Sequence, residues 1–175
     1  MSRTLAEALR DALATRYPDA PQVTEPNDAL LQMACRGSCR AFAQTPVPLG
    51  TLQMLAAAAL AAPTKSDLQQ RDVIIVQEPA TRSAIANLVG EQAWVQGAPS
   101  LLVFCGNNRR QRVLHRLNDI PFANDHIDAL FNAIGDAAIA LGAFVTAAED
   151  IGLGTCPNSA VRNEARALSD LLNLP

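Results

Sequence analysis

Apolar residues at helical spacing mark the first two predicted elements of the chain. Leucine and alanine recur at three- and four-residue steps from Leu5 to Leu13, behind Ser2 as an N-terminal cap. Prolines in residues 17–26 end this helix. A second helix is predicted to start at the cap Asn27, to present one apolar face and to end at Gly37.

The longest periodic element runs from Ile127 to Asp150 and predicts one long helix. Small residues at Gly135, Ala138 and Gly142 form a ridge on an overlapping face. Because a glycine inside a helix costs about 1 kcal/mol relative to alanine, the ridge predicts very close packing, either by a neighbouring helix or by a partner subunit. The sequence Gly152-Leu-Gly154 is expected to end this helix with a left-handed glycine.

Two short apolar runs predict buried strands, one from Asp72 to Gln77 and one from Pro99 to Cys105. A predicted helix over residues 80–89 lies between them. Two strands joined through a helix suggest a βαβ-type crossover, and the spacing leaves the relative direction of the strands open. An alanine-rich helix that starts at Pro48 and ends near Ala62 precedes the first strand.

A polar turn from Thr64 to Arg71 separates this alanine-rich helix from the first strand. Only Leu68 in the turn is apolar, and every other residue can hydrogen-bond or carry charge. Rigid elements on both sides would hold binding groups in place here. A solvated connection explains the same composition equally well.

Two arginines, Arg36 and Arg40, flank Ser38 just past the second predicted helix. Planar guanidinium groups form bidentate, charge-assisted hydrogen bonds to a phosphate, which lysine cannot copy. Arginines at an ordinary polar helix end also complement the helix dipole. The spacing therefore supports a phosphate site and a plain helix end equally.

A basic cluster occupies residues 107–116. A solvated loop and helix start is the favoured interpretation over attraction of an anionic cosubstrate, and His115 is interpreted as a surface histidine. The cysteines form no CxxC pair and the histidines lack metal-ligand spacing, so we predict no metal site. The residue pattern also contains no serine or cysteine triad for nucleophilic catalysis.

The net charge of -3 and the pI of about 5.3 argue against a nucleic-acid or membrane-surface partner, because phosphate binding on that scale needs a concentrated positive field. We expect one domain, with no stretch long enough to span a bilayer. The N-terminus lacks the continuous apolar core of a signal peptide. The protein is therefore predicted to be cytoplasmic.

Four motifs follow one another in the chain. An R-x-S-x-R-x-F box spans residues 36–42, and an A-P-T-x-x-x-x-Q segment spans residues 62–69. Gln92 precedes an A-P-S-L-L-V-F strand at residues 98–104, and the long helix then leads through G-L-G to R-N and an L-L-x-L-P ending at Pro175. In this order the motifs resemble the nitroreductase family of flavin-dependent oxidoreductases. The resemblance divides the chain into an N-terminal helical extension, residues 1–26, and an FMN-binding domain, residues 27–175.

The resemblance implies an α+β fold, a nitroreductase-like three-layer α/β/α sandwich with a long central helix at a dimer interface. FMN would bind in two sites built by both subunits of a homodimer, with NADH or NADPH as cosubstrate. The residues implied on the phosphate and ribityl side are Arg36, Ser38 and Arg40. The opposite subunit would supply Thr64, Lys65, Ser66 and Asp67. Gln92 would meet the polar edge of the isoalloxazine ring. The loop on the flavin's other side would be Pro157, Asn158, Ser159 and Ala160, and the substrate would meet Ser66 and Arg162.

The implied activity passes a hydride from NAD(P)H through FMN to a nitroaromatic, quinone or flavin acceptor, with no catalytic side chain. The sequence departs from the family pattern at Gly37, where many members are basic, at Asp67, where they have asparagine, and in the Pro157–Ala160 loop, which is glycine-rich elsewhere. The chain is also expected to lack the family's last strand and basic C-terminal tail. A flavin- or ligand-binding protein without turnover is the alternative, while the two strands count against a purely helical interaction module.

Overall fold

Helices pack around a small sheet in the computed structural model, which describes residues 3–90 and 92–174. The predicted α+β class is confirmed. The helices are α1 (Leu5–Ala14), α2 (Asp28–Cys35), α3 (Leu49–Leu60), α4 (Pro79–Leu88), α5 (Ala93–Gln96), α6 (Arg109–Leu117), α7 (Ile127–Asp150) and α8 (Ala165–Leu172), and the strands are β1 (Arg71–Val76) and β2 (Leu101–Gly106). Short 3-10 turns at Lys65–Asp67 and Ala160–Glu164 complete the described elements.

The two strands pair antiparallel, with Arg71 opposite Gly106 and Val76 opposite Leu101. The suggested βαβ-type crossover is therefore wrong. A connection as long as the one through α4 and α5 allows either strand direction, and a short apolar run carries no direction of its own. Both predicted strands exist within one or two residues of their expected bounds.

The long helix α7 forms the centre of the core and begins and ends where its periodicity predicts. Its Phe144 and Ala148 pack with Leu55 and Ala59 of α3 in one buried cluster. Gly106 at the end of β2 lets α7 approach, because a Cβ atom there would lie 2.8 Å from the carbonyl oxygen of Ala133. Close backbone contact with the sheet thus sets the height of α7 above it.

The capping residues explain where the other helices begin and end. Thr4 caps α1 by accepting a hydrogen bond from the Glu7 backbone, whereas the predicted cap, Ser2, lies outside the described residues. Asn27 caps α2 as predicted, and that helix ends at Cys35, before Gly37. The predicted left-handed end of α7 is confirmed at Gly152, which has a φ of +82°.

Helix α7 is also long and apolar enough to cross a bilayer, with a mean hydropathy of 1.6 over its best 18-residue window. The expectation that no stretch reaches this length is therefore wrong. Within the fold, however, α7 packs on β2 and α3, and its Asp136 is buried and accepts hydrogen bonds from the backbone of the same chain. These contacts are those of the central helix of a globular domain.

Candidate functional site

A cleft of about 570 Å³ opens beside the segment that follows α7. Its volume lies within the range of small-molecule sites. Seven of the residues predicted for binding line it: Arg40, Gln92, Pro157, Asn158, Ser159, Ala160 and Arg162. The sequence reasoning missed three further lining residues, Trp94, Cys156 and Asn163. The tertiary structure thus brings three separated motifs into one concave surface.

Asn158 organises the wall of this cleft. Its side-chain oxygen accepts a hydrogen bond from the backbone N–H of Ala160 at 2.8 Å, and its Nδ2 donates to Oε1 of Gln92 at 3.0 Å. Gln92 Nε2 donates in turn to the carbonyl oxygen of Val89, at 3.4 Å. Because each amide is held by the next, both side chains have a defined orientation before any ligand arrives.

Two guanidinium groups give the cleft its positive charge. Arg40 lies over the ring of Trp94, with 5.8 Å between its guanidinium carbon and the ring centroid, and Phe42 packs against the same ring at 6.4 Å. Arg162 donates from Nε to the carbonyl oxygen of Ser159 at 3.4 Å. Both arginines are exposed. Their remaining N–H groups can reach an anionic ligand.

Arg36 lies apart from the lining of the cleft. Its Nε donates to both carboxylate oxygens of Glu149 at 3.2 Å, and the hydroxyl of Thr155 donates to the same carboxylate at 2.7 Å. Among the described residues, Nη2 of Arg36 is buried without a hydrogen-bond partner. The R-x-S-x-R motif is therefore divided between an internal ion pair at Arg36 and a cleft-lining group at Arg40, with Ser38 exposed between them.

The segment from Arg36 to Arg40 is held against the end of α7 by its backbone. The Cys39 N–H donates to the carbonyl oxygen of Thr155 at 2.8 Å. A Cβ atom on Gly154 would lie only 2.7 Å from Cys39 Sγ. Gly154 is thus required because Cys39 packs closely against it, whereas Gly152 is required because its backbone is left-handed.

The predicted residues Thr64, Lys65, Ser66 and Asp67 lie outside this cleft. They begin a loop, residues 64–70, which we call the polar loop. Ser66, Asp67 and Gln69 all have left-handed backbone angles, with φ of 52°, 54° and 53°. Such angles cost non-glycine residues of the order of 1–3 kcal/mol each. Surrounding contacts must hold the loop in this shape.

Those contacts come from three elements. Asp136 of α7 accepts hydrogen bonds from the backbone N–H groups of Lys65 at 2.8 Å and Gln70 at 3.0 Å. From α6, Arg110 donates to the carbonyl oxygen of Gln69, and Gln111 donates to that of Leu68 at 2.6 Å. Buried Arg71 of β1 donates to the carbonyl oxygens of residues 60 and 62, which lead into the loop.

The basic cluster at residues 107–116 is therefore partly neutralised within the protein. Arg110 pairs with Asp72 at 2.8 Å and Arg112 with Asp125 at 2.5 Å. The start of α6 within this basic cluster matches the favoured interpretation. The support that Arg110 and Gln111 give to the polar loop was not predicted. Asp136, the acidic residue within the otherwise apolar stretch from Ala133 to Val145, was the signal that could have indicated the loop contact.

The cysteines are single thiols at separate places in the fold. All four thiols are free, and the described residues contain no group of histidine, cysteine, aspartate or glutamate side chains able to hold a metal ion. Burial, and secondarily the charge of Asp72, raises the pKa of the Cys105 thiol. That thiol is consequently a weaker nucleophile at neutral pH than a free cysteine.

The structure is an α+β domain in which α7 holds the polar loop through Asp136 and the segment around Arg36 through Glu149. A protein-family model described as Nitroreductase family matches residues 33–175. The chain belongs to the nitroreductase family.

The chain matches two curated relatives over most of its own length and over part of theirs. FMN reductase [NAD(P)H] from Bacillus subtilis is 36% identical over 152 residues, which span 85% of this chain and 61% of the relative. NADPH-flavin oxidoreductase from Vibrio harveyi is 30% identical, over 85% of this chain and 60% of the relative. The chain thus spans about three fifths of the length of these relatives.

Solved structures agree with this assignment. NfrA2 from B. megaterium superimposes with a TM-score of 0.81 at 31% identity, and the hypothetical oxidoreductase YcnD from Bacillus subtilis superimposes with the same score at 33% identity. Each match covers 85% of this chain and 61% of the solved one. The nitroreductase fold of the chain is therefore established by structure as well as by sequence.

Proposed function

We propose that this chain binds FMN and serves as an NAD(P)H oxidoreductase that reduces a nitroaromatic, quinone or flavin acceptor. The observation that carries the proposal is the convergence of Arg40, Arg162 and the Gln92–Asn158 amide pair on one cleft, in a member of the nitroreductase family. Relatives named as FMN reductase and NADPH-flavin oxidoreductase support the same activity.

The chemistry of the donor groups fits FMN. Arg40 would hold the phosphate, because a guanidinium forms charge-assisted bonds to phosphate oxygens. Arg36 and Ser38 are proposed for the same end because they share the arginine motif with Arg40, although neither lines the cleft and Arg36 is paired with Glu149. The amides of Gln92 and Asn158 would meet the polar ring edge, since they carry both donors and acceptors.

When bound, FMN supplies the hydride chemistry, and the side chains bind, orient and exclude water. Pro157, Ser159 and Ala160 would form one wall for the flavin. Arg162, exposed at the mouth of the cleft, would contact the nicotinamide cosubstrate or the acceptor. No nucleophile or general base is assigned to this chain.

The second half of each site is proposed to come from a partner copy. Thr64, Lys65, Ser66 and Asp67 lie outside the cleft of their own chain, and Lys65, Ser66 and Asp67 are exposed there. An apolar face of α7 is also left open, with Ile127 and Phe131 exposed by 72% and 73%. A twofold dimer through this face would cover it and would bring the polar loop to the cleft of the other subunit.

The small-residue ridge on α7 supports this dimer. Apart from the nearby backbone of α7 itself, a Cβ atom added at Gly135 or Gly142 would meet no atom of the described residues within 4 Å. The close packing expected along the ridge is thus not supplied by a neighbouring helix of the described chain, which leaves the partner subunit as the proposed contact. A cytoplasmic location is proposed as well, supported by the four free thiols.

An absorbance experiment tests the proposed function. The purified chain is incubated with FMN, freed of excess cofactor and then titrated with NADPH or NADH without oxygen. A bound-flavin spectrum that bleaches on titration supports the oxidoreductase. A spectrum that persists would indicate a flavin-binding protein without turnover, and a colourless protein would contradict FMN binding. The Arg40→Ala variant serves as the matched control for uptake at the cleft.

A further inference from the structure

One buried carboxylate joins the two ends of the polar loop, in which three non-glycine residues have left-handed backbone angles. Asp136 is only 1% exposed, although it belongs to a helix with many exposed apolar residues. Each of its two oxygens accepts one backbone N–H, that of Lys65 at 2.8 Å and that of Gln70 at 3.0 Å. We propose that Asp136 is a positioning residue, which holds the polar loop in the conformation that presents Lys65 and Ser66 to the cofactor of the partner subunit. This inference rests on the proposed function.

The geometry of the two bonds explains why a carboxylate is needed. Lys65 and Gln70 lie near the two ends of the loop, so one side chain closes it across a span of five residues. Both loop groups are N–H donors, and both ligating atoms must therefore be acceptors. An aspartate meets this requirement with two equivalent oxygens, whereas asparagine would set an NH2 group against one of the N–H groups.

The two hydrogen bonds that Asp136 accepts maintain a strained backbone conformation in the polar loop. Ser66, Asp67 and Gln69 have left-handed backbone angles, which persist only where surrounding contacts require them. Gln111 of α6 contributes one outer contact, to the carbonyl oxygen of Leu68. Asp136 holds the donors of the loop while α6 holds its carbonyl groups, so the two helices fix opposite sides of the same backbone.

The position of Asp136 excludes direct contact between its carboxylate and a ligand in the cleft. Its two oxygens are engaged with the loop backbone, and it does not line the cleft. Any effect of this residue on FMN must therefore pass through the loop. A change at Asp136 is expected to alter cofactor affinity more than the rate of flavin reduction at saturating FMN, because the ligands of the cleft itself are unchanged.

The experiment compares Asp136→Asn with Asp150→Asn, which removes an exposed carboxylate from the last turn of the same helix. FMN affinity is measured by equilibrium dialysis, and amide hydrogen exchange is followed at Lys65 and Gln70. Asp136→Asn is expected to raise the Kd for FMN by about tenfold or more and to speed exchange at both amides. Asp150→Asn is expected to change neither quantity.

Gln111→Ala provides a second variant in case Asp136→Asn fails to fold. It removes one outer contact of the same loop and is expected to raise the Kd for FMN by about two- to fivefold. An unchanged Kd in a folded Asp136→Asn protein would overturn the inference while leaving the proposed function standing. If Asp136→Asn does not fold, an unchanged Kd in Gln111→Ala overturns it. A wild-type chain that takes up no FMN would overturn the proposed function first, and this inference with it.

Discussion

Asn158 and Gln92 are joined by a side-chain hydrogen bond of 3.0 Å, which links the segment after α7 to the residue that precedes α5. The bond orients both amides before a ligand binds, and Asn158 is itself fixed by the Ala160 backbone N–H. The wall of the cleft is therefore built from interactions between residues far apart in the sequence.

Replacing Asn158 tests this arrangement. In Asn158→Ala, the Gln92 amide loses its partner and can rotate, so FMN affinity is expected to fall by about three- to tenfold. The measurement is fluorescence quenching of FMN on binding. Asn163→Ala, at the outer rim of the same cleft, should change affinity less. Equal losses in both variants would contradict the orienting role of Asn158.

Arg40 is predicted to act on the FMN phosphate rather than on hydride transfer. A charge-assisted hydrogen bond contributes about 1.5–3 kcal/mol, so Arg40→Ala should weaken FMN binding by about ten- to a hundredfold. Turnover at saturating FMN should change much less. Arg166→Ala, an exposed arginine on α8, is the control. Unaltered FMN affinity in Arg40→Ala would show that the phosphate assignment is wrong.

The ion pair between Arg36 and Glu149 is predicted to stabilise the fold. Glu149 is 13% exposed and accepts from both Arg36 and Thr155, so Glu149→Gln should lower the free energy of unfolding by about 1.5–3 kcal/mol. Urea denaturation provides the measurement. Asp125→Asn breaks a pair whose side chains are 57% and 42% exposed, and it should lower that free energy by less than about 1 kcal/mol. A smaller effect at Glu149 than at Asp125 would refute the prediction.

The proposed dimer can be tested on its apolar face. Phe131→Asp places a charge on the exposed apolar face of α7 and should produce a monomer that binds FMN poorly, because each site would then lack the partner's polar loop. Light scattering and equilibrium dialysis measure the two effects. Leu117→Asp is the matched control, since Leu117 is 74% exposed on α6. A wild-type monomer that binds FMN tightly would contradict the shared site.

Sharing between subunits also makes a specific mixing prediction. Arg40→Ala damages the cleft and Asp136→Asn damages the loop, so a dimer with one chain of each type would contain one site with both defects and one intact site. Refolding an equal mixture of the two variants should restore a fraction of tight FMN sites that neither variant has alone. If both contributions came from the same chain, no site would be restored.

The start of α4 should make stability depend on pH. The backbone N–H of Ala80, the Thr81 hydroxyl and the Thr81 N–H lower the pKa of the Glu78 carboxyl. A lowered pKa means that the stabilising contribution is present above the ordinary pKa, about 4.3, and is lost as the pH falls through the folded-state value. The Tm of Glu78→Gln should therefore lie below that of the wild type at neutral pH, and the difference should shrink in acid. Glu25→Gln, in an exposed loop, is the matched control.

Local sequence patterns predicted α1, α2, α3, α4 and α7, whereas α5 and α8 were not predicted. The bounds of α7, the Asn27 cap and the left-handed Gly152 all follow from periodicity and from hydrogen bonds between near neighbours in the chain. Such features form within one or two turns, so the information that specifies them lies in a short window. The order of four motifs likewise indicated the nitroreductase family, which the family match confirmed.

The tertiary structure decided the remaining features. The antiparallel pairing of β1 with β2, the Arg36–Glu149 pair and the contact of Asp136 with Lys65 each join residues distant in sequence. No periodicity encodes which distant partner a buried carboxylate or a strand edge will meet, because that choice depends on how the whole core packs. Once the core is packed, a buried polar group must find a partner nearby. This requirement places Asp136 under the polar loop and pairs Arg36 with Glu149, while Arg40 remains free to face the cleft.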